Sequence, residues 1–124
     1  MPISGEVLVD AGIVQTIVSG KVDDAAIINF EKNLGKLPGF KPDMSQLVDA
    51  SGVIENLVTM EGLQKLVEVT PFNAGCRRAF VIADEKSAEN AGMFATLASA
   101  SQSELIYVTR NRDDAYNWLL NKPT

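Results

Sequence analysis

Apolar residues recur along this chain in two periods, and the alternation between them predicts its layout. Apolar runs at 7–9 and 13–18 flank Asp10-Ala11-Gly12, a combination that predicts two antiparallel strands joined by a tight turn. Ser19-Gly20 ends the second strand, and Asp23 is placed to cap a helix. Ile27, Phe30, Leu34 and Leu37 follow helical spacing there until Pro38-Gly39 stops it. A loop containing Pro, Gly and Lys leads past Pro42 to a third strand around 46–50, and Asp49 to Gly52 are short polar or small residues that favour a turn. Thr59 is placed to cap a second helix, in which Leu63, Leu66 and Val67 recur at helical spacing. Thr70-Pro71 ends it, because proline disfavours helical geometry in the residue before it.

The second half repeats the alternation. Residues 79–83, Ala-Phe-Val-Ile-Ala, have the unbroken apolar character of a strand covered on both faces. Ser87 is placed to cap a third helix with Ala91, Phe94 and Leu97 inward, and 105–108 reads as a fifth strand. Asn111 caps a last helix whose Asp113 and Asp114 meet the positive end of its dipole. Ala115, Trp118 and Leu119 should pack inward, and Pro123 ends the chain's last helical stretch. Two strands followed by alternating helices and strands predict an α/β domain: a mostly parallel five-stranded sheet with an antiparallel N-terminal strand and four helices. A length of 124 residues suits one such domain, 1–124.

Composition narrows the function classes. A hydrophobic fraction of 46% with 22% charged residues indicates a globular core rather than disorder. A net charge of −5 argues against nucleic acid as a partner, because that affinity comes from clustered Lys and Arg. No run approaches the length of a transmembrane helix and no basic start precedes an apolar stretch, so a cytoplasmic protein is expected. Cys76 stands alone and cannot form an internal disulfide, which fits a reducing compartment.

Candidate chemistry is sparse. The chain has no histidine, which removes the commonest general base and the commonest metal ligand together. It also lacks the glycine patterns that cradle phosphates or present a nucleophilic serine. No catalytic residue, cofactor or metal is therefore assigned. Asp49 and Asp84 fall at the carboxyl ends of predicted parallel strands, where open sheets place ligands, but local turn capping is the simpler reading. A phosphoacceptor receiver would also need an acidic pair after its first strand and a lysine after its last; Gly20 follows the second strand here and Arg110 the fifth. Arg77 and Arg78 could activate Cys76, yet without a general base a structural cysteine is the plainer account. Ser51, Thr59 and Ser87 are hydroxyls near helix starts, with capping as their ordinary role. Met44, Met60, Met93, Phe94, Phe72 and Phe40 could line an adaptable apolar groove or simply form core.

Three segments also carry a resemblance. They are Val18-Ser19-Gly20-Lys21-Val22, Leu47-Val48-Asp49, and Arg112-Asp113-Asp114-Ala115-Tyr116-Asn117-Trp118-Leu119, together with the strand, turn and helix pattern of 46–69. In these the chain resembles the STAS superfamily of sulfate-transporter and anti-sigma-factor-antagonist domains, in its SpoIIAA-like branch, which is related in fold to CRAL-TRIO (Sec14-type) lipid-binding domains. The resemblance implies a non-enzymatic binding or regulatory module that meets a protein partner through the strand-three loop and the start of the second helix. Asp49, Ser51, Thr59, Met60 and Glu61 are the residues expected to line that surface. The alternative it implies is a carrier or sensor of a small apolar, lipid-like ligand; self-association is left open. Relatives phosphorylate a serine just before a glycine-leucine pair. Here Gly62-Leu63 is in place but Glu61 stands where the hydroxyl would be, so no such cycle is expected. The 52–60 loop reads as longer than usual, which leaves Thr59 as the fallback acceptor.

Overall fold

The computed structural model, which describes residues 2–73, 75–100 and 104–120, builds its sheet on two long strands. In chain order the elements are β1 (Ile3–Leu8), a 3-10 turn (Val9–Ala11), β2 (Ile13–Asp23), α1 (Asp24–Leu34), β3 (Ser45–Leu57), α2 (Met60–Val69), β4 (Cys76–Val81), α3 (Glu85–Ala100), β5 (Glu104–Thr109) and α4 (Arg112–Leu120). One five-stranded sheet runs in the order β1-β2-β3-β4-β5. β1 is antiparallel to β2 and every later pairing is parallel, as the alternating pattern predicts.

Consecutive parallel strands joined by right-handed crossovers leave their helices on one face. That face buries Val18, Val22, Val48, Leu63 and Phe94, with Ile27 of α1 and Leu66 of α2 packed against them. α4 follows the last strand, so no crossover constrains it, and it covers the other face. There Ala115 and Leu119 meet Ile13, Leu47, Ala79 and Val81. Leu47 and Val48 thus point to opposite layers, as the two-residue period of a strand requires. Because the strand order never reverses, the sheet has no switch-point crevice of the kind that holds ligands in doubly wound folds.

Caps fall largely where short polar side chains precede an apolar period. Asp23 accepts a hydrogen bond from Ala26 N at 2.9 Å, Thr59 accepts from Gly62 N at 3.2 Å, and Asn111 accepts from Asp114 N at 3.0 Å. Ser87 is not the cap of α3. Asp84 takes that role, its Oδ1 accepting from Ser87 N at 2.7 Å, because the carboxylate stands three residues ahead of an unpaired first-turn N–H. α1 ends at Leu34 rather than at Pro38, while Leu37 still packs beyond the helix against Val14, Leu34 and Met44.

The largest departure from the sequence pattern is in β3. No turn interrupts Asp49 to Gly52; the strand runs on to Leu57 and pairs with β2 as far as Asp23. Turn-favouring composition yields here to ladder pairing. The mismatch is absorbed by register shifts between Ile17 and Ser19 and between Gly20 and Lys21, with Gly20 at a φ of 70° that glycine accepts without strain. β4 pairs only with Gln46 to Asp49, so the far part of β3 and its β2 partner project past the carboxyl end of β4 as a two-stranded arm.

Several candidate residues resolve as core. Met44, Phe72 and Phe94 are buried, with Phe40 edge-on to Phe72 at 5.4 Å, whereas Met60 and Met93 are exposed. Cys76 is buried and its thiol donates to Pro42 O at 3.2 Å. Trp118 is only half-buried: it stacks on Tyr107 at 5.1 Å and lies against the Arg77 guanidinium at 3.8 Å. The expected end at Pro123 lies outside the described residues.

Candidate functional site

The start of α2 is held by a contact from another helix. Asp24, the first residue of α1, accepts from Thr59 N at 2.8 Å and from Thr59 Oγ1 at 2.5 Å. Thr59 Oγ1 therefore donates to Asp24 while accepting from Gly62 N, and the Asp24 carboxylate sits at the favourable end of the α2 dipole. Gly62 makes the approach sterically feasible, since a Cβ there would fall 2.0 Å from Asp24 Oδ1. Met60 and Glu61 follow on the first turn, both exposed.

Asp49 is engaged on both oxygens. Oδ1 accepts from Ser51 N at 3.0 Å and Ser51 Oγ at 2.6 Å, and Oδ2 accepts from Arg112 Nη1 at 2.7 Å. Burial pushes its pKa up, but the Ser51 bonds and the Arg112 charge outweigh that and hold the carboxyl below its ordinary range. Asp84 is likewise held low, by the Ser87 backbone bond first and then the Ser87 side chain, with a smaller contribution from the Arg110 charge. Both aspartates thus serve local capping and pairing. Among the described residues no cluster of three Cys, Asp or Glu is placed to hold a metal.

The five residues expected to share a surface fall into two groups. Asp49 and Ser51 join Arg112 of α4, on one side of the sheet. Thr59, Met60 and Glu61 begin α2, whose Leu63 packs in the opposite layer. Between the groups runs the arm, and here the structure adds Ile54 and Leu57 to the expected Met60. Ile54 is 87% exposed, and Leu57 and Met60 are each 44% exposed, so three large apolar side chains recur every third residue across the end of β3 and into α2. The available signal was the pair Val53-Ile54, strongly β-forming residues inside a segment read as a turn.

A second cluster was also missed. Arg78 is 2% exposed, and its Nε donates to Gln46 Oε1 at 2.7 Å while Nη2 pairs with Glu31. Gln46 Nε2 in turn donates to Thr16 Oγ1 at 2.9 Å. The guanidinium lies 4.9 Å from the Phe72 ring and 5.1 Å from the Phe94 ring. Glu31 stands on the apolar stripe of α1 between Ile27 and Leu34, a charged residue at a core position, and that was its sequence signal.

Among the described residues, small spaces of about 100 Å³ and about 80 Å³ between sheet and helices share Val18, Ile27, Val48, Leu66 and Phe80 as walls. A larger trough of about 690 Å³ lies outside, bounded by Pro2 and Ile3 and by α1.

No family model matches this chain, and no curated protein matches it. One solved structure is similar: an uncharacterized protein from the DUF3478 family with a SpoIIAA-like fold, from Shewanella loihica PV-4. It is 17% identical, covers 94% of this chain and 91% of its own, and has a TM-score of 0.59. The chain therefore has a SpoIIAA-like fold, an α/β architecture whose parallel strands follow one antiparallel strand. Among the described residues no helix is long and apolar enough to cross a membrane.

Proposed function

We propose that this chain is a non-enzymatic binding module that engages a protein partner through the far end of the β2–β3 arm and the first turn of α2. One observation carries the reading: Ile54, Leu57 and Met60 are exposed in succession along the strand-to-helix segment. Exposed apolar side chains grouped in this way mark interaction surfaces more often than singly scattered ones do. The segment is well supported, because β2 pairs it on one side and Asp24 holds its helical end. Glu55, Glu61 and Lys21 give it a charged surround, the usual rim of a protein interface.

Binding in this reading does not depend on phosphorylation. Thr59 already donates to one carboxylate, and a phosphate on it would bring a second anion against Asp24. Glu61 carries a fixed charge beside Gly62 instead. A lipid carrier has less support, since ligand cavities for molecules of that size span about 300–1,000 Å³ and bury most of the ligand. The interior spaces are smaller, and the 690 Å³ trough is a surface feature whose described walls are Pro2, Ile3 and one side of α1. We place the module in the cytoplasm, where the lone buried thiol would stay reduced.

The test is site-specific photo-crosslinking in cells of the source organism. A photoreactive residue at position 54 should yield one discrete protein adduct, absent when the same residue stands at Lys41 on the opposite end of the sheet and lost when Met60→Glu is added. Equal adducts at both positions, or none at 54, would remove the reading.

A further inference from the structure

The space between the sheet and helices α1, α2 and α3 is incompletely filled, and its shape selects a ligand. Interiors normally pack at crystal density, with few voids larger than a water molecule. Here the 100 Å³ cavity is walled by apolar side chains that include Val48, Val58, Leu63, Phe80 and Phe94. One corner differs. Asn56, Ser87 and Asn90 meet there, and Asn56 and Asn90 are only half-buried, so this corner reaches the surface.

The hydrogen bonds in that corner assign its orientation. Asn56 Oδ1 accepts from Val58 N at 3.0 Å and from Asn90 Nδ2 at 2.9 Å, while Asn56 Nδ2 donates to Ser87 Oγ at 3.1 Å. Val58 N can only donate, which identifies the Asn56 oxygen; that oxygen then requires the Asn90 amide nitrogen beside it. The remaining atom of the Asn90 amide is its carbonyl oxygen, which accepts no hydrogen bond among the described residues. The cavity thus combines an apolar body with Asn90 at its mouth, whose amide oxygen is free to accept.

We propose that this cavity binds a small neutral molecule with an apolar body of single-ring size and one hydroxyl or N–H donor, which Asn90 Oδ1 receives. Size limits the body to a single ring: an engineered apolar cavity of about 150 Å³ accepts benzene, and the 100 Å³ space here is smaller, with a neighbouring 80 Å³ space sharing five of its wall residues. Charge argues for neutrality. No charged side chain lines the cavity, and Arg78 and Glu31 in the neighbouring space neutralise each other, so a charged ligand would be buried without a counter-ion. The site lies beneath the arm and α2 rather than on the exposed face of Ile54 and Met60, and it does not depend on a protein partner.

Phenol, toluene and benzoate are the probes, titrated into the full chain and followed by methyl spectra of Val18, Val58 and Leu63 and by melting temperature. Phenol is expected to give saturable shifts at those methyls and a rise in melting temperature, because a ligand of the native state stabilises it by mass action. Toluene should bind about five- to tenfold more weakly for want of one hydrogen bond, and benzoate should not bind. Asn90→Leu should erase the preference for phenol over toluene while leaving toluene bound. Ala91→Leu and, separately, Ala50→Leu fill the space and should abolish both, with the remaining spectrum unchanged. Absence of saturable phenol shifts, equal binding of benzoate, or binding that survives in a folded filled variant would each overturn the proposal.

Discussion

The two ends of this sheet use opposite means to occupy the same layer. Toward the amino ends of the strands, Arg78, Glu31, Gln46 and Thr16 form a hydrogen-bonded chain inside the core, between the rings of Phe72 and Phe94. At the carboxyl ends the layer is apolar yet under-filled, while Ile54 and Leu57 of the arm stay exposed to water. Charge inside and hydrophobes outside look like errors if each is judged alone. Together they separate a part whose groups satisfy one another from a part that leaves groups for something else to satisfy.

The largest effect expected from breaking this contrast is at Arg78. Arg78→Leu strands Glu31 in the core and should cost about 3–5 kcal/mol in urea unfolding, whereas Glu31→Leu combined with Arg78→Leu should recover most of it. A single-variant loss under about 1 kcal/mol would show that the amino end does not rely on the pair. Next comes Gly62→Ala, which drives a methyl into Asp24 and should cost about 2 kcal/mol, while loosening the start of α2 in amide exchange. Trp118→Ala should cost about 2 kcal/mol, below the 3–5 of a fully buried tryptophan, because the ring is partly exposed although it packs on the core under α4, on Tyr107 and on Arg77.

Smaller still is the effect of Arg112→Gln. The folded pKa of Asp49 lies below its ordinary value of 3.8, so the carboxylate's bonds contribute stability above that pH and lose it as pH falls through the folded value. Removing Arg112 should raise the Asp49 value in a carboxyl NMR titration and narrow that acid window, at a cost below about 1 kcal/mol because the arginine is 43% exposed. Ile54→Glu closes the series. With 87% of the side chain in water, stability should change by no more than about 0.5 kcal/mol.

Legibility in the sequence followed the range of the deciding interaction. Asp23, Thr59 and Asn111 were readable as caps because each acts within three residues of itself. The strand-and-helix alternation was readable for the same reason, since period alone carries it. β3 was misread beyond Asp49 because its course depends on β2, some 30 residues earlier, and that pairing overrides the local preference of Asp49 to Gly52 for a turn. Ser87 and Asp84 both carry cap chemistry in the sequence, and only the folded geometry assigns the cap of α3 to Asp84. The Arg78 chain was hidden because Arg77-Arg78 reads as surface charge until Glu31 and Gln46 are brought against it from two other elements. Of the five residues expected at the binding surface, Met60 belongs to the exposed apolar series and Thr59 and Glu61 adjoin it, while Asp49 is engaged by Ser51 and Arg112.

The central claim, that the arm and the start of α2 bind a partner while the buried charges only support the fold, comes down to one comparison. The partner captured by crosslinking at position 54 is titrated calorimetrically against the native chain and against Ile54→Glu, with melting temperatures measured on the same samples. A loss of affinity of tenfold or more with the melting temperature unchanged within about 1 °C is expected, since an exposed side chain carries binding energy without carrying stability. Unchanged affinity in a variant that melts normally would contradict it.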